Sequence, residues 1–207
     1  MNAVSDGIKR GRKFDQVLQG ARHVFLHDGF EGASVDDISR QAGVSKATLY
    51  NYFPDKRLLF MEVVKAECRR QSDDALDVID LNAPVASVLE MAAAHMVKFL
   101  LSDFGQSVFR ICVAESDRFP ELGRIFYETG PAHVREQIAD YLESSVARGD
   151  LVIEDVPLAA DQFAELCKAD LFSRVVFGVR PDITRAEIDR VIKGAVAMFM
   201  ARYGAPA

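Results

Sequence analysis

Residues 34–56, SVDDISRQAGVSKATLYNYFPDK, constrain the chain more than any other stretch. They read as two short helices, each with its own cap, joined by a tight turn. Ser34 is placed to cap the first, and Asp36 and Asp37 put carboxylates at the positive end of its dipole. Val35, Ile38 and Ala42 fall at helical spacing and give this helix one apolar face. Gly43 stops it, because the chain needs a left-handed residue there. Ser45 then caps a second helix beginning at Lys46, and Pro54 ends it. Leu49 and Phe53 lie four apart on this second helix and must face inward. Around the outside stand Lys46, Ala47, Thr48, Tyr50, Asn51 and Tyr52, with no carboxylate among them. Such a surface suits a polyanion, since Lys and Asn read base edges while Thr, Tyr and Lys donate to phosphate oxygens. Lys46, Ala47, Tyr50 and Asn51 are therefore expected on base edges, and Ser34, Thr48, Tyr52 and Lys56 on phosphates.

Ala42-Gly43-Val44-Ser45-Lys46-Ala47-Thr48-Leu49-Tyr50-Asn51-Tyr52-Phe53, followed by Asp55-Lys56 and Leu58-Leu59-Phe60, resembles the signature of the TetR family of one-component transcriptional regulators. Cap, turn, two core positions and several outward residues are all fixed in that one run. Ala47 stands where many members have Gly, and Arg57 where many have an acidic residue. Further on, Arg110, Glu115-Ser116-Asp117-Arg118-Phe119-Pro120-Glu121-Leu122 and residues 127–131 resemble the C-terminal body of the AefR-like subgroup. The resemblance implies an all-α fold with an N-terminal three-helix helix-turn-helix DNA-binding domain, residues 1–57. A larger helical effector-binding and dimerisation domain, residues 58–207, is implied to follow.

The net charge of −6 argues against nucleic acid only when taken over the whole chain. Residues 1–57 hold nine Lys or Arg against seven Asp or Glu, whereas residues 58–207 hold sixteen against twenty-four. Where the cations lie matters more to DNA affinity than their total. Residues 1–11 read as an arm, whose Lys9 and Arg10, with Arg12 and Lys13 beside them, are either a solvated charged end or phosphate contacts. Directly ahead of a DNA-reading unit, the second reading is adopted for Arg10, Arg12 and Lys13. Cys68, Cys112 and Cys167 are widely spaced with no CxxC pair, which favours reduced thiols over a redox sensor. No run approaches the roughly 18 apolar residues that a membrane span needs, so a cytoplasmic protein with no membrane partner is expected.

Helices are expected at 14–29, with Phe14, Val17, Leu18, Ala21 and Phe25 facing inward, and from 54 to near 73. Phe30 is placed to plug the three-helix core. No strand pattern appears from Pro84 onward, and helices read at 84–102, 104–115, 120–129, 131–148, 157–178 and 185–203. His23 and His27 share a helical face at metal-ligand spacing, but no third ligand completes a site, and neither metal nor cofactor is expected.

Two apolar stripes mark the last helices: Phe163, Leu166, Cys167, Leu171 and Val175, then Ile188, Val191, Ile192, Ala195, Val196 and Phe199. Stripes of this kind are first of all core. The resemblance implies that they pair with a second copy in a four-helix seam, to which Asp170 and Arg174 are assigned as an ion pair or a cross-seam contact. A twofold dimer would place two reading heads about 34–36 Å apart on a pseudo-palindromic duplex. An effector pocket is likewise implied, with His95, Phe99, Phe104, Phe109, Cys112, Phe126 and Tyr127 as candidate walls for an apolar or aromatic molecule. The same residues read equally as plain core.

Among other function classes, an enzyme would need a catalytic constellation. No GxSxG elbow, phosphate-binding glycine loop or placed nucleophile is found, so no catalytic residue is assigned. A nucleoid-associated or division-control protein would use the same reading helix, and only the number and arrangement of its sites would tell it apart. The expected function is a sequence-specific transcriptional regulator, a repressor released from double-stranded operator DNA by a small molecule.

Overall fold

Both short helices of the tight-turn stretch begin where their caps put them. The Ser34 hydroxyl accepts the Asp37 N–H at 3.0 Å, and the Ser45 hydroxyl accepts the Thr48 N–H at 3.1 Å. A computed structural model of the chain describes residues 11–179 and 182–206, without the side chains of residues 71–78. The elements of the described residues are helices: α1 (Arg12–Gly32), α2 (Val35–Ala42), α3 (Lys46–Tyr52), α4 (Lys56–Val78), α5 (Val85–Leu100) and α6 (Asp103–Glu115). Then come α7 (Pro120–Thr129), α8 (Pro131–Ala147), α9 (Val156–Lys168), α10 (Leu171–Val176) and α11 (Arg185–Tyr203). β-Pairing among them is confined to an antiparallel bridge between Leu151 and Gly204. The fold is all-α, an N-terminal helix-turn-helix domain followed by a larger helical one.

Two compact units divide the chain. The first takes in the described residues up to Glu67 together with Ser107–Ile125, and the second comprises Cys68–Gln106 and the remainder from Phe126. A sequence boundary at residue 57 therefore falls inside the first unit, which also recruits a segment from far along the chain. Arg57 shows why. Its guanidinium grips both Asp55 oxygens, at 3.0 and 2.6 Å, reaches Glu115 at 3.4 Å, and lies 3.6 Å from the centre of the Phe119 ring. Arg57 in turn holds the Asp55 carboxyl below the usual range, chiefly through the side-chain hydrogen bond. Val108, Cys112 and Leu122 from the recruited segment are buried.

Within the first unit, α1 presents Phe14, Val17, Gly20, Ala21, Val24 and Phe25 to the core; Leu18 is only half-buried. Gly29, at φ 70°, breaks the helix, and one more turn follows it. Phe30 then lies 6.0 Å from Phe25 and 5.0 Å from Phe60, closing the aromatic core. Arg22 donates to the buried carboxylate of Glu67 at 2.8 Å, tying α1 to α4.

The second unit buries Leu89, Ala93 and Val97 of α5, Leu142 of α8, Ala160 and Phe163 of α9, and Ile192, Val196 and Phe199 of α11 around one core. Thr184 and Glu187 form a capping box at the start of α11. The Thr184 N–H, then its hydroxyl and Arg174, hold the Glu187 carboxyl down at about 2. Asp170 pairs with Arg174 at 2.8 Å, one of the alternatives open from sequence.

The single helix expected over 157–178 is broken. Asp170 adopts φ 64°, ψ −47°, and the Leu171 N–H returns to the Ala169 carbonyl at 2.7 Å, closing a γ-turn that splits α9 from α10. A non-glycine residue pays of order 1–3 kcal/mol for such a backbone, and the Arg174 ion pair holds it there.

In the first unit α1 and α2 approach closely at Gly20. A Cβ at Gly20 would stand 2.6 Å from the Ala42 nitrogen and 2.7 Å from its Cα. Backbone cannot step aside as a flexible side chain can. Alanine's helix propensity favours Gly20→Ala by about 1 kcal/mol, but overpacking against backbone costs about 1–3 kcal/mol or more. Gly20→Ala is therefore expected to lower the melting temperature followed by circular dichroism. An equal or higher melting temperature would contradict this packing.

Candidate nucleic-acid interface

A seven-residue helix has no stability of its own in water, so the position of α3 depends on what holds it. Its start is fixed by Ser45, whose hydroxyl also lies 2.9 Å from the Thr48 hydroxyl. Gly43, at φ 64°, makes the left-handed turn from α2. Its inner side is Leu49, buried together with Phe53 just beyond the last turn. Phe14 of α1 meets Phe53 at 5.4 Å and the Tyr52 ring edge-on at 5.7 Å, pinning the far end.

The outer side carries Lys46, Ala47, Tyr50 and Asn51, all exposed, with 49% of Tyr50 open to solvent. These four are the residues expected on base edges. Thr48 and Tyr52 are half-buried, and Arg12 and Lys13 are exposed at the first turn of α1. Arg10 lies outside the described residues.

Two of the residues expected on phosphates are engaged within the chain. The Lys56 ammonium donates to the Phe30 carbonyl at 2.9 Å and the Ala33 carbonyl at 3.0 Å, and sits 4.4 Å from the centre of the Phe30 ring. It is a clamp on the α1–α2 connection, because those carbonyls have no helical partner beyond Gly29. Ser34 has one hydroxyl proton and gives it to Asp37 at 2.5 Å, while accepting the Asp37 N–H. Its hydroxyl works as a cap, and it could reach a phosphate only by releasing that carboxylate.

Sequence reasoning missed two ion pairs. Asp36 accepts an ion pair from Lys46 at 2.5 Å, so a carboxylate from α2 stands beside the first residue of the carboxylate-free helix. Arg40, also exposed, pairs with Asp37. The i,i+3 spacing of Asp37 and Arg40 was a visible signal. The Asp36–Lys46 pair was not, because it crosses the turn.

The seam assignment also changes. Phe163, Cys167, Leu171, Ile192, Ala195, Val196 and Phe199 are buried within their own unit, so they have no surface left for a second copy. Burial pushes the Cys167 thiol up to about 12, so it keeps its proton at neutral pH. Leu166, Val175, Ile188 and Val191 remain half-buried. Along α9 and α11 runs an apolar groove of about 620 Å³, lined by Leu158, Leu166, Ala169, Met198 and Tyr203 among others, with the buried Phe199 at its floor. The candidate effector walls divide between the units: Phe109 and Cys112 belong to the first, and His95, Phe99, Phe104, Phe126 and Tyr127 to the second. No single described helix is long and apolar enough to cross a membrane.

A capped short helix, braced from behind and turned outward after a left-handed glycine, defines a helix-turn-helix DNA-binding protein. The family model for bacterial regulatory proteins of the tetR family matches residues 17–63, and that for the C-terminal domain of AefR-like transcriptional repressors matches residues 87–205. The chain belongs to the TetR family. A TetR-family transcriptional regulator from Mesorhizobium loti has a TM-score of 0.82 at 28% identity, covering 94% of this chain and 98% of that one. The flavonoid-responsive regulator FrrA is 36% identical with a TM-score of 0.74, covering 96% of this chain and all of that one. The transcriptional repressor AcnR of Corynebacterium efficiens is 30% identical over 71 residues, which are 34% of this chain and 38% of that protein. The chain thus spans well under half the length of this curated relative.

Lys56→Met keeps the aliphatic stem and removes the ammonium. Losing charge-assisted bonds to two carbonyls is expected to lower unfolding free energy by about 1–3 kcal/mol, read by urea titration. Unchanged stability with a shallower dependence of DNA affinity on salt would restore Lys56 to the phosphates.

Proposed function

We propose that the protein is a homodimeric repressor that binds a pseudo-palindromic operator and is released by a small apolar or aromatic molecule. The observation that carries the reading is the outer side of α3, where Lys46, Ala47, Tyr50 and Asn51 stand exposed on a helix fixed at both ends. Supporting repression are relatives such as AcnR. An aromatic effector is supported by the likeness to FrrA, a flavonoid-responsive regulator, and by the half-buried His95 and Phe99 and the buried Phe104 of the second unit. In this reading the cytoplasm is the site of action, and the chain binds rather than catalyses. Because α4 runs from the first unit into the second, it offers a covalent route by which a bound molecule could shift the reading heads.

Selection from a pool of randomised duplexes tests the DNA reading. Enrichment of an inverted repeat is expected, and Asn51→Ala should lose about 1–3 kcal/mol on the enriched duplex while relaxing the preference at one position per half-site. Failure to enrich any duplex over random competitor at moderate salt would overturn it.

Dimerisation is assigned to the exposed groove along α9 and α11, which takes in Leu166 of the stripes, with Phe199 at its floor, but not their other fully buried members. Leu158 and Met198 are 50% and 63% exposed there and line one apolar groove, and a contiguous apolar patch is what marks an interaction surface. TetR-family members typically pair. Sedimentation at micromolar concentration should show a dimer that Met198→Asp converts to monomer without loss of helix. A monomeric wild type, or a dimer indifferent to this change, would contradict the assignment.

A further inference from the structure

Helix-turn-helix proteins approach base edges with the N-terminal residues of the second helix. In this chain the first of those residues is Lys46, and its ammonium lies 2.5 Å from Asp36 Oδ1. Neither partner is buried: 57% of the Lys46 side chain and 66% of that of Asp36 are exposed. The pair therefore stands on the surface that a duplex would cover. A second pair, Arg40 with Asp37, lies on the same short helix α2. Asp37 is further engaged by the Ser34 hydroxyl, whereas Asp36 faces the reading helix.

A carboxylate at this place has two effects on DNA. It repels phosphates and the guanine O6 and N7 acceptors, whatever sequence is presented, and it accepts a hydrogen bond from the cytosine N4 amine. It also draws Lys46 away from indiscriminate phosphate contacts, which supply most non-specific affinity. We propose that Asp36 is a specificity-determining residue: through its pair with Lys46 it weakens binding to duplexes in general more than binding to the matching one. This rests on the operator-binding reading above. Helix-dipole stabilisation, the other role of a first-turn aspartate, would change the stability of α2 but leave discrimination untouched.

The test uses the full-length protein and two probes, a duplex enriched from a randomised pool and a scrambled duplex of the same composition. Affinity for each is measured by fluorescence anisotropy at several salt concentrations. For Asp36→Asn, affinity for the scrambled duplex should rise about three- to tenfold and affinity for the enriched duplex by less. Its slope of log affinity on log salt should steepen by about 0.9, the value of one phosphate contact. Asp36→Glu, which keeps the charge, should keep most of the discrimination. In a Lys46→Gln background, Asp36→Asn should steepen the slope by much less, because the pairing is already gone and only the direct repulsion is removed.

Equal changes on both duplexes, or weaker binding to both with the slope unchanged, would overturn the inference. A slope steepened as much in the Lys46→Gln background as in the wild type would show the carboxylate acting on DNA without Lys46, and would overturn the pairing mechanism. A wild type that prefers no duplex overturns the operator-binding reading, and this inference falls with it. A wild type and an Asp36→Asn variant that discriminate equally overturn this inference alone.

Discussion

At Gly20 the backbones of α1 and α2 meet with no room for a Cβ: one would stand 2.6 Å from the Ala42 nitrogen. The reading unit depends on that contact. Ala42 is the last residue of α2, so its closeness to α1 fixes the point from which Gly43 turns the chain. The left-handed turn then delivers α3, and Phe14, two turns before Gly20 on α1, catches its far end through Tyr52 and Phe53. One helix thus holds the turn and the end of α3 together. Lys56 fixes the other connection, by holding the Phe30 and Ala33 carbonyls that lead into α2.

Electrostatics at this surface is balanced rather than simply positive. A protein of net charge −6 binds DNA through local geometry, and two of the local cations are already paired. Lys46 faces Asp36, and Arg40 faces Asp37. Surface pairs of this kind contribute about 0–1 kcal/mol to stability. Their effect on a polyanion is larger in kind, because a duplex must compete with a carboxylate for each cation.

The parts of the fold legible in sequence were those decided by neighbours along the chain. Ser34 and Ser45 as caps, Gly43 as a left-handed stop, and Leu49 and Phe53 as the inner side all follow from helical spacing and backbone sterics, and the structure has each of them. Illegible were features decided by residues distant in sequence. Nothing local shows that Arg57 would stack on Phe119 and pull residues 107–125 into the first unit. Periodicity showed that Phe163, Ile192 and Phe199 share apolar faces, but not whether a neighbouring helix or a second copy covers them; the core of their own unit does. The break at Asp170 was hidden for a related reason. A non-glycine residue at positive φ has no sequence signature, being held by an ion pair and the packing of Leu171. The carbonyl contacts of Lys56 were hidden because a lysine beside a DNA-reading helix has the same sequence whether its ammonium meets phosphates or carbonyls.

The central claim is that α3, fixed by α1 and its own cap, offers its outer side to duplex DNA. Hydrogen exchange with and without a duplex enriched by selection reads this residue by residue. The account predicts slowed exchange on binding at the first amides of α2 and across Lys46–Tyr52, with the groove side of α9 and α11 unaffected. Protection appearing elsewhere in the chain, with Lys46–Tyr52 exchanging as fast as in the free protein, would contradict it.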